Sequence, residues 1–286
     1  MASTTVAFDD AGLNVWSDEE RFEVTRERIA EYAAATNDPI AAHLEGTVAP
    51  PIFAIVPVFE AMMMPVIEVA PMDIFGRVVH GEQDFHFHRP IRPGDILVSR
   101  AKAIGYDSKD TGSTITILIE CRSEDGELVN EQYLTAFFRN IDAGKQVGDG
   151  APPHRFDSTT AGQPLAKAHA HVDADQTYRY SPASGDPVPI HLDDQVAKDA
   201  GLPGIIAHGL CTMAMSSWGV LTETAGSDVQ RLKRFAVRFS KMVFPGDDLE
   251  TRIWQQDSKN GLTSYAFETG RGSDLVLTDG LAVIAD

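Results

Sequence analysis

The chain has 286 residues, 43% hydrophobic and 23% charged, which suits one large or two modest globular domains with ample core-forming capacity. Its 42 acidic and 24 basic side chains give a formal charge of −18, a balance that disfavours nucleic acid and anionic membrane surfaces as general partners. No apolar run reaches the roughly 18–20 residues of a membrane span. The first twenty residues carry no basic or apolar leader region, and Cys121 and Cys211 cannot build a disulfide framework, so a cytoplasmic protein is expected.

Taken in chain order, residues 24–38 read as a helix, ending in Tyr32, Asp38 and Pro39, with His43 just beyond. Residues 52–64 form a long apolar segment closing on Met62, Met63 and Met64, which suit soft core or tunnel lining. After Pro93-Gly94-Asp95 the pattern predicts strands at 95–104, 113–122 and 127–139, with turns at 110–112 and 124–126. Residues 141–176, rich in Gly, Pro, Asp and Ala, lack periodicity and read as a linker. Tyr180, Asp186 and His191 follow, and then Ala207-His208-Gly209 opens the apolar segment 210–221. That segment is apolar nearly all round, so it must be enclosed, and an antiparallel sheet wrapped round a buried helix satisfies it. Arg231, Lys233, Arg234, Arg238 and Lys241 gather locally and read as a solvated strand face. After Pro245-Gly246-Asp247, strands are predicted at 248–256, 262–269 and 274–284, the first two joined by an Asn260-Gly261 hairpin signal.

The order of these features repeats. Tyr32, Asp38 and His43 answer to Tyr180, Asp186 and His191 at a constant offset of 148 residues, and the two Pro-Gly-Asp turns lie 152 apart. Two copies of one α+β fold follow, with domains at 1–145 and 165–286 and a linker at 146–164.

The second copy resembles the MaoC-like dehydratase family, also called enoyl-CoA hydratase 2. The resemblance is carried by Tyr180, Ser184-Gly185-Asp186, Pro189-Ile190-His191 and, eighteen residues after that histidine, Gly209 within Ala207-His208-Gly209-Leu210. Copy one, with its Tyr32 to Pro39 motif and Ala49-Pro50-Pro51, looks like the related N-terminal dehydratase half. The resemblance implies a double hotdog: two antiparallel sheets, each wrapped round a central helix. It implies reversible addition of water to trans-2-enoyl thioesters, giving (R)-3-hydroxyacyl products. It makes Asp186 and His191 the catalytic pair and Gly209 the backbone donor to the thioester oxygen. Tyr180, Val188, Ala207, His208 and Leu210 are expected around the substrate, Tyr180 chiefly as packing. Val188 stands where many family members have Asn. Coenzyme A would arrive as part of an acyl-CoA substrate, with no separate cofactor or metal, and a homodimer is expected.

The chemistry suits these residue types. Hydration needs a base for water, an acid for C2 and a donor for the enolate-like oxygen, and a backbone N–H at a helix start supplies the third. Aligning Ala49-Pro50-Pro51 with Ala207-His208-Gly209 sets Pro51, which has no N–H, opposite Gly209. Copy one is therefore expected to be a structural half that shapes the acyl tunnel, although Asp38 and His43 are correctly spaced. His86 and His88 lie two apart on a strand and so share a face, and His169 and His171 do so in the linker, but neither pair has the further ligands a metal needs. Thioester hydrolysis on the same fold and non-catalytic acyl-thioester binding are the alternative readings.

Overall fold

The computed structural model describes residues 4–286. Six α-helices occur in chain order: α1 (Arg26–Ala35), α2 (Ala41–Leu44), α3 (Met64–Val69), α4 (Gln176–Ser184), α5 (Asp194–Asp199) and α6 (Gly209–Ala225). Nine strands form the main ladders: β1 (Val78–Phe87), β2 (Ile96–Lys109), β3 (Gly112–Ser123), β4 (Leu128–Arg139), β5 (Ala166–His171), β6 (Leu232–Phe239), β7 (Asp248–Lys259), β8 (Leu262–Arg271) and β9 (Asp274–Ala285). The meanders anticipated from alternation are β2–β4 and β7–β9. The strands β1 and β6, each preceding a Pro-Gly-Asp turn, complete them.

Two compact units emerge, and they do not follow the two copies in sequence. Of the described residues, one comprises 4–22, 57–86 and 97–153; the other comprises 23–56, 87–96 and 154–286. In the first unit the strands run in the order β2-β3-β4-β1, with β2 and β3 closing a tight hairpin at Lys109 and Gly112. Ile115, Ile117 and Ile119 of β3 are wholly buried.

In the second unit the order is β6-β9-β8-β7-β5. Asn260 and Gly261 both adopt positive φ, at 56° and 73°, as a two-residue hairpin between Lys259 and Leu262 requires. Helix α6 packs on this sheet and is buried along almost its whole length, including Leu210, Cys211, Met213, Met215, Val220 and Leu221. Its polar side chains are paired within that contact: Ser216 Oγ meets Thr269 Oγ1 at 2.8 Å, and Ser217 donates to the Ala214 carbonyl.

The corresponding apolar stretch of copy one is not one helix. Residues Pro51–Val58 wind as a 3-10 helix with Pro57 inside it, and α3 begins only at Met64. Proline at 57 removes an N–H that a continuous α-helix would need, and its ring clashes with the preceding turn.

Backbone bonds within the second unit repeat from copy to copy. Val24 N–H donates to Asp95 O and Gly94 N–H to Val24 O; Val172 N–H donates to Asp247 O and Gly246 N–H to Val172 O. Ala49 N–H donates to Ile91 O at 2.9 Å, and Ala207 N–H to Val243 O at 2.8 Å. The last pair carries the alignment that sets Pro51 opposite Gly209. Both motif helices, α1 and α4, lie in this unit and hold each other: Tyr32 and Tyr180 face one another hydroxyl to hydroxyl at 3.3 Å. Arg28 donates to the Pro182 and Ala183 carbonyls, and Gln176, its counterpart, donates to the Ala35 carbonyl.

Candidate active site

The site begins at the end of α4. Gly185 takes φ +82° as the left-handed cap that stops the helix, and Asp186 follows. Asp186 N–H donates to Ser184 Oγ, and Asp186 Oδ1 accepts the Val188 N–H at 3.0 Å. This Asx turn fixes the carboxylate locally and leaves Oδ2 available. Pro187 sits inside the turn and Pro189 follows it, and a short 3-10 segment, Pro189–His191, carries the histidine.

His191 is oriented from the other side of the loop. Its Nδ1 lies 2.9 Å from the Ile206 carbonyl. A carbonyl only accepts, so Nδ1 carries the proton and neutral His191 keeps its lone pair on Nε2. Burial is the main influence on both members: it raises the Asp186 carboxyl above its ordinary range and lowers the His191 imidazole. The two groups therefore resist standing as a full ion pair.

His208 joins them. Ligating atoms of Asp186, His191 and His208 all lie within 4.8 Å of one another. The His208 ring is stacked on His191, centroids 3.9 Å apart and planes at 27°. Its Nε2 lies 3.4 Å from the Asp186 carbonyl, and the Tyr180 ring lies tilted beside it, centroids 4.9 Å apart. Burial, and then the adjacent His191, push the His208 pKa down to about 3. An Asp-His-His trio can suit a divalent ion, but ring lone pairs lie in the ring planes. Two nearly parallel imidazoles in contact do not aim them at a common centre, and His191 Nδ1 is already committed to Ile206.

Gly209 is the first residue of α6, so its N–H lies in the turn that has no intrahelical acceptor. Among the described residues no group accepts that N–H. A Cβ at this position would come 3.2 Å from the Phe239 ring, which leaves the glycine backbone closely lined on that side.

The remaining expected pocket residues occupy distinct places. Leu210 is buried in α6, and Ala207 is buried with its N–H tied to Val243. Tyr180 is buried against Tyr32 and His208, so it packs the site from behind. Val188 is 41% exposed and contributes its backbone N–H to Asp186. The Ile206 carbonyl, which sets the His191 tautomer, had no signal in the sequence because any residue carries a carbonyl there.

In copy one the same residue pair is assembled differently. His43 Nδ1 bonds directly to Asp38 Oδ2 at 2.7 Å, and both side chains are 1% exposed. Asp38 Oδ1 accepts the Ile40 N–H, as Asp186 does with Val188. His43 Nε2 is buried with no partner among the described residues. The counterpart of the Gly209 region is a small cavity lined by Ala49, Pro50, Pro51, Phe87 and Ile91, in which Pro51 offers no N–H. Copy one thus keeps an acid–base pair sealed from solvent and lacks the backbone donor.

Comparison with known proteins follows this division. Residues 155–275 match a MaoC like domain, and residues 11–132 match a FAS1-like, dehydratase domain region. The chain is 30% identical over 220 residues to a probable enoyl-CoA hydratase 2 of Dictyostelium discoideum, covering 76% of this chain and 72% of that protein. It is 29% identical over 210 residues to the 3-hydroxyacyl-thioester dehydratase Y of Mycobacterium tuberculosis, covering 71% of each. It is 31% identical over 214 residues to the mouse peroxisomal multifunctional enzyme type 2, of which it spans only 27%. Among solved structures, a MaoC-like dehydratase from Phytophthora capsici superimposes with a TM-score of 0.85 at 24% identity, over 97% of this chain and 98% of that one. A Mycobacterium tuberculosis protein described as having a double hotdog fold superimposes at 0.60 over 94% of this chain.

Proposed function

This chain belongs to the MaoC-like dehydratase family with the enoyl-CoA hydratase 2 proteins, and from that premise we propose that it hydrates trans-2-enoyl-CoA thioesters to (R)-3-hydroxyacyl-CoA, and reverses that reaction. The observation that carries the reading is the convergence of Asp186 and His191 in the unit where Gly209 presents an unclaimed helix N–H.

The steps are these. Water attacks C3, and its proton passes to His191 Nε2, the atom left basic by the Nδ1–Ile206 bond. Charge moves onto the thioester oxygen, which the Gly209 N–H and the α6 N-terminus hold. C2 takes its proton from the Asp186 carboxyl, whose burial keeps it protonated more readily than an exposed carboxyl. His191 then returns its proton to Asp186, and the pair is restored. Addition of water is redox neutral, so coenzyme A enters only as part of the substrate. Turnover belongs to copy two, residues 165–286.

The test uses pure protein with crotonyl-CoA and longer trans-2-enoyl-CoAs. Loss of the enoyl absorbance without free thiol is expected. Release of free thiol would establish hydrolysis instead, and binding without either change would establish a carrier role. Mass spectrometry and chiral analysis of the product check the (R) configuration.

A further inference from the structure

We propose that His208 is a positioning residue: it holds Asp186, His191 and Gly209 in one constellation and keeps water off the His191 ring. The proposal deepens the hydratase reading and rests on it.

His208 touches each part of the machinery through a different bond. It is joined to Gly209 by the peptide link, so the start of α6 cannot move without it. Its Nε2 faces the Asp186 backbone carbonyl at 3.4 Å, and that carbonyl can only accept, so Nε2–H donates and ties down the Asx turn. Its ring covers one face of His191 at 3.9 Å. It also packs against the tilted Tyr180 ring, itself held by Tyr32. The residue is 1% exposed, and its Nδ1 is buried with no partner among the described residues. Leaving a buried ring nitrogen unpaired is unfavourable, and a leucine or phenylalanine would avoid that cost. The contacts to Asp186 and His191 are what an apolar residue could not all replace.

The ionisable groups facing the stack are Asp186 from the motif loop and Tyr180 from α4, with Tyr32 of α1 and Cys211 of α6 behind Tyr180. The tyrosines and the cysteine are buried, and burial raises the pKa of each. They stay neutral through the working range, which leaves Asp186, His191 and His208 as the titrating set. His208, held down to about 3, remains neutral while His191 gains and loses its proton.

Two substitutions separate the ring from the donor. His208→Gln keeps an N–H near the place of Nε2 and removes the ring; His208→Phe keeps the ring and removes the N–H. The wild type and both variants are measured with crotonyl-CoA for kcat and KM across pH, with thermal unfolding followed in parallel. Both variants should lose about 10- to 100-fold in kcat with KM unchanged, the scale expected when catalytic groups are displaced by about 1 Å. Only His208→Gln should move the acid limb of kcat/KM to higher pH, because water then reaches His191 and relieves the burial that lowers its pKa. An acid limb that stays put in His208→Gln, one that moves in His208→Phe, or a raised KM with intact kcat overturns the proposal. If the Gln variant does not fold, the Phe variant decides alone: lowered kcat on an unmoved limb supports the positioning role, and any other result overturns it. A wild-type protein without hydratase activity, or an active Asp186→Asn variant, overturns instead the reading underneath.

Discussion

Asp186 and Asp38 each close an Asx turn onto the N–H two residues ahead, yet only Asp38 is clamped onto its histidine among the described residues, and only the second copy opens its apolar helix on a glycine N–H. Asp186→Asn is therefore expected to lower kcat by about 10²- to 10⁴-fold, the range of positioned proton transfer, while Asp38→Asn leaves turnover nearly unchanged. Steady-state rates on crotonyl-CoA check both. Asp38→Ala should act on stability instead: it strands the buried His43 Nδ1 and costs about 1–3 kcal/mol, read from denaturant unfolding. Because the Asp186–His191 pair must share one proton, kcat/KM should follow a bell in pH. Adding a second proton to His191 closes the acid side, and removing the shared one from Asp186 closes the alkaline side. His208 also leaves a mark on stability. Its pKa falls from 6.5 when unfolded to about 3 when folded. Between those values the unfolded chain binds a proton that the native one does not, so stability drops as pH falls through that window. His208→Phe should flatten that part of the unfolding profile.

At the level of elements, the start of α6 and the start of the Pro51–Val58 3-10 helix occupy matching places, fixed by the paired bonds from Ala207 to Val243 and from Ala49 to Ile91. One start offers an N–H and the other cannot. Proline is tolerated at the first position of a helix, so Gly209→Pro should leave α6 largely intact while deleting the donor. Gly209→Ala adds a Cβ against Phe239 and keeps the N–H. The proline variant should lose about 10²- to 10³-fold in kcat, and the alanine variant much less. Equal losses in the two would mean that crowding of Phe239, rather than the hydrogen bond, controls the rate. The helix itself was legible because an all-round apolar run of that length has to be enclosed. Its interruption in copy one turned on Pro57, a single residue inside an equally apolar run.

For the whole molecule, the family match at 155–275 suggests a piece that could stand alone, but the compact unit holding the site also contains residues 23–56 and 87–96. Tyr180 is buried against Tyr32, and Trp218 Nε1 donates to the Thr36 carbonyl at 3.2 Å. Arg179 donates to Ala34 O, and Asn37 Nδ2 donates to the His171 carbonyl. A fragment of residues 155–286 would expose these buried groups and leave carbonyls and donors unpaired. It should show no cooperative thermal transition, where the intact chain does. Supplying residues 1–154 in trans would be expected to restore some of the fold, and circular dichroism with an activity assay follows both.

Amino-acid order by itself determined the duplication, the hairpins and the identity of the Asp–His pairs, because each depends on residues close in sequence or on a repeated spacing. Tertiary structure alone decided which pair is open and which is sealed. The acceptor for His191 Nδ1 comes from Ile206, fifteen residues away, and the ring stacked on His191 comes from seventeen residues on. Such contacts depend on where a loop returns in space, and local propensity carries no record of that.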